Sequence, residues 1–316
     1  MVVQRIRAAL LAVPELASWP EIVELIERPV DEESIPCWEQ PLLACRAVGG
    51  AEAQALPGAT AIFCLLYSIH LADDLLDCDP RGLQHVHGEG RVANYALALQ
   101  AASSIAIERA GLAAECRAAI HERLAGAALA TAYGQSLDSS ELRGEDEYWK
   151  VVEAKTPPLF AAALAIGGML GAATPETIES LDRLGFLLGK SVQISDDLKD
   201  AFDKPAAPDW QRRYNNLPIL YAMTADHSEK ERFLDLLSSI EQEESLEAAQ
   251  EILVTSGAVS FCAYHMIDLH RSARAILAET QLVDPEPLLM LIERYIKPLR
   301  NLLETVGIES PEELLT

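Results

Sequence analysis

Two short acidic runs hold the chemistry that this sequence is equipped to do. Asp73-Asp74-Leu75-Leu76-Asp77 and Asp196-Asp197-Leu198-Lys199-Asp200 share one spacing, D-D-x-x-D. On a helix, the first and last Asp of each run stand one turn apart on the same face. Like charges at that spacing weaken an isolated helix, so they make sense where something cationic sits beside them. A solvated acidic face is the plain alternative, and 49 Asp and Glu against 25 Lys and Arg leave acids to spare. Two matched copies, each towards the end of a helix, are much harder to obtain by chance than one. Carboxylate oxygens are hard ligands. Mg²⁺ takes one or two of them, keeps waters and shares its remaining positions with substrate phosphates. Two such clusters are suited to several Mg²⁺ ions bridging a diphosphate, whose neutralisation lets a C–O bond ionise. An apolar pocket beneath would shelter a hydrocarbon chain and its carbocation from water.

The elements that must position these carboxylates read as helices throughout. Residues 53–72 and 156–175 contain no Asp, Glu, Lys or Arg. Their length would permit a membrane span. The first holds Gln54, Pro57, Ser68 and His70 and runs straight into Asp73. The second opens on two prolines and is rich in Ala and Gly, and neither has a basic flank. Helices apolar all round in a globular protein are enclosed by others. Alternating β-branched runs are absent, and apolar residues recur at helical spacing over 2–12, 20–28, 39–48, 51–78, 90–109, 112–138, 146–170, 175–203, 212–225, 228–241, 246–256, 258–280 and 285–306. Thr174-Pro175-Glu176 reads as a helix start. No Gly/Ser- or Pro-rich linker and no repeat divides the chain. The expectation is a single all-α domain over 1–316, with characterful loops at 78–89 and 203–211.

The net charge of -24 and pI near 4.6 argue against nucleic acid and against anionic membrane surfaces as partners. The six Cys show neither CxxC nor zinc spacing, and the N-terminal apolar run is too short for a signal peptide. A reduced, cytoplasmic protein without a transmembrane segment is expected.

Further motifs in chain order sharpen the reading. Gly134-Gln135-Ser136-Leu137-Asp138 has the form GQxxD, and Lys155-Thr156 follows. Gln193 stands three before Asp196, as in QxxDD. Lys204-Pro205 precedes Asp209, and Leu217-Pro218-Ile219-Leu220-Tyr221-Ala222 comes next. With the two aspartate runs, this set resembles the trans-isoprenyl diphosphate synthase (polyprenyl synthetase) family from about residue 40 to 225. The resemblance implies an isoprenoid (terpenoid) synthase-type helical bundle around a central apolar cavity, and a prenyltransferase acting on an allylic prenyl diphosphate with Mg²⁺. Carried over residue by residue, Asp73, Asp77 and Asp196 would ligate metal, with Asp74, Asp197 and Asp200 as supporting or water-mediated partners. Lys155 and Lys204 would grip the allylic diphosphate, and Thr156, Gln193, Gln135 and Asp138 would orient the site. A homodimer is also implied.

Departures from the family pattern concern the second substrate. Isopentenyl diphosphate is usually held by a GGKxxRP segment, a His or Gln before the first Asp motif, and RRG after it. Here the first reads Glu33-Ser34-Ile35-Pro36-Cys37-Trp38-Glu39-Gln40-Pro41, with no Lys or Arg between Arg28 and Arg46. The His position aligns with Leu66, RRG has become Pro80-Arg81-Gly82, and a downstream Gly-Asp aligns with Ala96-Leu97. A diphosphate stripped of cationic partners is costly to bury. The chain therefore reads as a prenyltransferase using isopentenyl diphosphate or, more in keeping with the lost cations, another acceptor. A class I terpene cyclase and a non-catalytic helical subunit of a synthase are the alternatives. Arg81 is the remaining cation of the second site, and His85 and His87 are potential substitutes. In the family, bulky aromatic side chains one turn before the first Asp shorten the product. Ser68 and Ile69 stand there, which implies room for a C15 to C20 chain. His70 is expected to be a packing or supporting residue, because Mg²⁺ avoids imidazole.

Overall fold

The structure is a computed structural model that describes residues 2–28, 37–77, 79, 81–138, 144–212 and 214–305, apart from the side chains of 302, 304 and 305. Among the described residues there are helices and no strands. In chain order the α-helices are α1 (Val2–Leu11), α2 (Pro14–Ala17), α3 (Pro20–Glu27), α4 (Gln40–Ala47), α5 (Glu52–Asp77), α6 (Gln84–His87), α7 (Glu89–Glu108), α8 (Ala114–Asp138), α9 (Glu145–Lys155), α10 (Pro157–Leu170), α11 (Pro175–Phe202), α12 (Asp209–Arg212), α13 (Leu217–Thr224), α14 (Lys230–Leu236), α15 (Glu243–Thr255), α16 (Ala258–Glu279) and α17 (Glu286–Thr305). Single 3₁₀ turns precede α4 (Cys37–Glu39) and follow α14 (Leu237–Ser239).

The chain forms two compact units. One comprises Met1–Ala132, Pro158–Phe186 and Ile276–Leu291, and the other Tyr133–Pro157, Leu187–Ala275 and Ile292–Thr316. In the first unit, α5 packs chiefly on α7 and α4. Ala59, Ala61, Ile62, Phe63, Cys64 and Leu65 are sealed from solvent on successive faces of α5, as the absence of charge over 53–72 requires. Leu159 to Ile166 of α10 are buried in the same way. An 18-residue window of α5 has a mean hydropathy of 1.6, enough by composition to cross a membrane, yet 61% of it is buried inside the protein. The second unit holds two apolar clusters. One joins Tyr148, Ile194, Leu217, Cys262, Met266 and Ile296, and the other joins Trp210, Ile219, Phe233, Leu246 and Leu253.

The helix expected over 146–170 is two helices. Pro157 and Pro158 lack N–H groups, so two successive donors of the ladder are lost and the chain breaks at Thr156. The break leaves Lys155 as the last residue of α9 and Thr156 at the junction with α10. The helix expected from 212 starts instead at Leu217, where the Asn216 side chain accepts from Ile219 N–H as its N-cap. The segment 228–241 is an α-helix continued by a 3₁₀ turn.

Candidate active site

The first aspartate cluster closes α5. Asp73, Asp74 and Asp77 are half-buried there. Burial, then the neighbouring Asp79 and Asp73 charges, push the Asp74 carboxyl above its ordinary value. One turn earlier Ser68 is buried and Ile69 half-buried, while Tyr67 stacks on Phe63 with ring centroids 4.5 Å apart. His70 is exposed on this helix and is therefore not a core residue, and its ring lies 6.5 Å from that of Tyr67.

Beyond the cluster, Arg81 turns back on its own loop. Its Nε–H donates to Asp79 Oδ1 at 3.1 Å and its Nη2–H to Oδ2 at 2.9 Å, and its backbone N–H donates to Oδ1 at 2.7 Å. The guanidinium holds the Asp79 carboxyl below the usual range. His85 Nε2 lies 3.0 Å from the Asp79 carbonyl oxygen, and His87 meets the Tyr95 ring edge-on at 5.7 Å. Residues 33–36 and Pro80, part of the altered second-substrate segments, lie outside the described residues. In the described part of the first of these segments, Cys37, Trp38, Gln40 and Pro41 are buried and Glu39 is half-buried.

The second cluster lies on the C-terminal half of α11, where three adjacent motifs meet. Lys155 Nζ donates to Asp138 Oδ2 at 2.8 Å. That approach requires Gly134, because a Cβ there would stand 2.5 Å from the Lys155 backbone nitrogen. Asn215 Nδ2 donates to Asp138 Oδ1 at 2.7 Å and to its carbonyl at 2.6 Å. Thr156 Oγ1 donates to Gln193 Oε1 at 2.7 Å, and Gln193 Nε2 donates to Asp197 Oδ1 at 3.0 Å. Gln135 is buried nearby in sequence, at the end of α8.

The paired Asp196 and Asp197 have opposite environments. Asp197 is sealed, and its Oδ2 accepts from Tyr148 Oη at 2.6 Å and Leu217 N–H at 2.8 Å. Burial and Asp209 push its carboxyl up to about 8, against the pull of these donors. Asp196 reaches solvent. Desolvation by its surroundings, then Asp200, push it up to about 6, an effect that the adjoining water weakens. Lys204 is about half exposed and paired with Glu247. Tyr148, Asn215 and Asn216 were not singled out from the sequence. Asn216 holds the Asp197 carbonyl at 2.8 Å and Asp209 Oδ2 at 2.9 Å. An Asn directly before Leu-Pro is a legible helix-cap signal, whereas nothing local announces the pairing of Tyr148 with Asp197.

The side chains suited to a metal are the hard oxygens of Asp73 and Asp77 in one unit and Asp196 in the other. Among the described residues, no three metal-binding side chains converge on one point. Carboxylates of this kind, in either unit, fit Mg²⁺, which takes few protein ligands and completes its octahedron with water and substrate phosphate.

Residues 41–253 match the family model for polyprenyl synthetases. The chain belongs to the polyprenyl synthetase family. It is 30% identical over 277 residues to a geranylfarnesyl diphosphate synthase of Aeropyrum pernix, covering 81% of this chain and 86% of that one. A geranylfarnesyl diphosphate synthase of Natronomonas pharaonis is 29% identical over 237 residues, 71% and 69% of the two chains. The crystal structure of geranylgeranyl pyrophosphate synthetase from Pyrococcus horikoshii superposes with a TM-score of 0.77 over 93% of this chain and 95% of that one, at 22% identity. The fold is therefore the all-α isoprenoid synthase fold, and the chain is a prenyltransferase of a family that uses allylic prenyl diphosphates.

Proposed function

We propose that this polyprenyl synthetase is Mg²⁺-dependent, ionises an allylic diphosphate of about C15 to C20, and passes the prenyl chain to an acceptor other than isopentenyl diphosphate. Bound Mg²⁺ supplies Lewis acidity that neutralises the departing diphosphate. Asp73, Asp77 and Asp196 would hold it, with Asp74 and Asp200 acting through water. Lys155 rests on Asp138 and can exchange that charge-assisted bond for one to a phosphate oxygen. Thr156 and Gln193 keep the adjoining helix junction in register with Asp197. Lys204 is a second, more exposed cation for the same anion. Ser68 and Ile69 leave room for the chain. The family match runs through both compact units, which supports reading 1–316 as one working domain.

The observation that carries the acceptor reading is Arg81. The remaining cation of the family's RRG position is bound to Asp79 through the Nε–Nη2 edge of its guanidinium. The test incubates the protein and Mg²⁺ with farnesyl or geranylgeranyl diphosphate, with and without isopentenyl diphosphate. Mg²⁺-dependent binding of the allylic substrate with no elongated product is expected. Elongation would overturn the acceptor assignment, and cyclic hydrocarbon formed without any acceptor would favour the cyclase. Absence of Mg²⁺-dependent binding would overturn the whole reading.

We also propose a homodimer. The exposed stripe Ala93, Asn94, Leu97, Gln100, Ala101 and Ser104 of α7 carries no charge, and neither does Ala125, Gly126, Leu129 and Ala132 of α8. Leu97 is 64% and Leu129 74% exposed. In a chain of net charge -24, an uncharged face is where a second copy meets least repulsion. Leu129→Glu is expected to shift sedimentation from dimer to monomer, and an unchanged profile would remove this assignment.

A further inference from the structure

The C-terminal end of α5 is closed by an arrangement centred on Gln84, a residue outside every motif singled out above. Asp74 is among the last residues of the helix, whose carbonyls lack ordinary intrahelical partners. Its carbonyl accepts from Asp79 N–H at 3.0 Å, a six-to-one closure of the kind that ends helices. It also accepts from Gln84 Nε2 at 2.9 Å, which uses its second lone pair. The other N–H of the same carboxamide goes to the Asp79 carbonyl, again at 2.9 Å. That carbonyl also accepts from Gly82 N–H at 2.9 Å. Two carbonyl acceptors fix which end of the Gln84 amide is nitrogen. Its Oε1 is buried without a hydrogen-bond partner, a cost that the two donated bonds must offset.

The carboxamide reaches this position only because residue 82 is glycine. A Cβ at Gly82 would overlap Gln84 Oε1 and stand 2.6 Å from its Cδ. Gly82 and Gln84 therefore behave as two parts of one device.

We propose that Gly82 and Gln84 form a latch that keeps the last turn of α5 wound, which makes Gln84 a positioning residue for the first aspartate cluster. The physical need is specific to this place. A helix C-terminus carries partial negative charge, and here it coincides with Asp73, Asp74 and Asp77. Repulsion favours unwinding the last turn, which would move Asp77 off the face it shares with Asp73. Gln84 supplies N–H donors to that end without adding a cation, so the carboxylates keep their full charge for Mg²⁺. In the latched loop Arg81 lies against Asp79.

The role in metal binding rests on the Mg²⁺ reading above, whereas the latch itself can be tested without metal. Gln84→Met keeps the length of the side chain and removes both donors. Gly82→Ala blocks the place where the amide lies. In metal-free protein, each variant is expected to speed amide exchange at Asp79 and Gly82 by about tenfold, the size of one or two hydrogen bonds to carbonyls. Calorimetry with inorganic pyrophosphate and Mg²⁺ should show about tenfold weaker binding at limiting Mg²⁺, recovering at saturating Mg²⁺, with unchanged helical content. The double variant should be no worse than either single one, since both break the same latch. Unchanged exchange, or losses that multiply in the double variant, would overturn the latch. Parent protein that fails to bind pyrophosphate with Mg²⁺ would instead overturn the Mg²⁺ reading, while the exchange result still decides the latch.

Discussion

Asp73→Asn and Asp196→Asn should each lower Mg²⁺-dependent turnover of an allylic diphosphate by about 10²–10³-fold or more, the scale of losing one group that stabilises developing charge, while the protein remains folded. Asparagine keeps the size of the side chain and removes the charge that recruits the cation. The energetic consequences for function and for folding have opposite signs. Asp73 is one of the charges that push the Asp74 carboxyl upward, so neutralising it relieves repulsion in the metal-free protein. Asp196 reaches solvent, and its upward shift is driven by desolvation and by Asp200. Its replacement leaves no sealed donor without a partner among the hydrogen bonds described. The expected pattern is thus loss of turnover with a denaturation midpoint equal to or above the parent's. Full activity in either variant would overturn the site assignment. A matching fall in stability would mean that the residue supports the fold rather than the metal.

Much of the architecture was legible because it follows from burial. A helix without charge over 53–72 has to be enclosed, and α5 is enclosed. The break at Thr156 was legible in Pro157-Pro158, but apolar periodicity continued across it and hid the junction. That junction matters, because Lys155, which meets Asp138, and Thr156, which meets Gln193, stand at it. The acidic runs were legible as chemistry but not as individual roles. Adjacent aspartates look alike in a motif, yet on a helix they point about 100° apart, and one can face solvent while the other faces the core. Tyr148 escaped notice for a related reason. It stands 49 residues from Asp197 and carries no local pattern, so only the packing of α9 on its neighbours brings them together. Arg81 was legible as a surviving cation, whereas its pairing with Asp79, two residues away, was not.

Asp197→Ala should behave in the opposite way to Asp196→Asn. Asp197 is 2% exposed and satisfies three donors, Tyr148 Oη, Leu217 N–H and Gln193 Nε2. Removing its carboxylate strands those donors in the interior, each at about 1–3 kcal/mol, and opens a cavity. The three share one acceptor group, so their costs do not simply add. A loss of about 3 kcal/mol or more is expected in urea denaturation. Asp197→Asn is the sharper probe. It nearly preserves volume, but its amide nitrogen must face at least one donor that the carboxylate accepted. It should lose about 1–2 kcal/mol and keep measurable Mg²⁺-dependent turnover, because both oxygens of Asp197 already face protein donors. Its influence on the reaction passes through Gln193 and Thr156, so the remaining loss should appear as weaker binding of the allylic substrate more than as a slower maximal rate. Unfolding of Asp197→Ala within 1 kcal/mol of the parent, a margin about that of one net hydrogen bond, would refute the structural role. Abolished turnover in a fully stable Asp197→Asn variant would place this carboxylate at the metal beside Asp196.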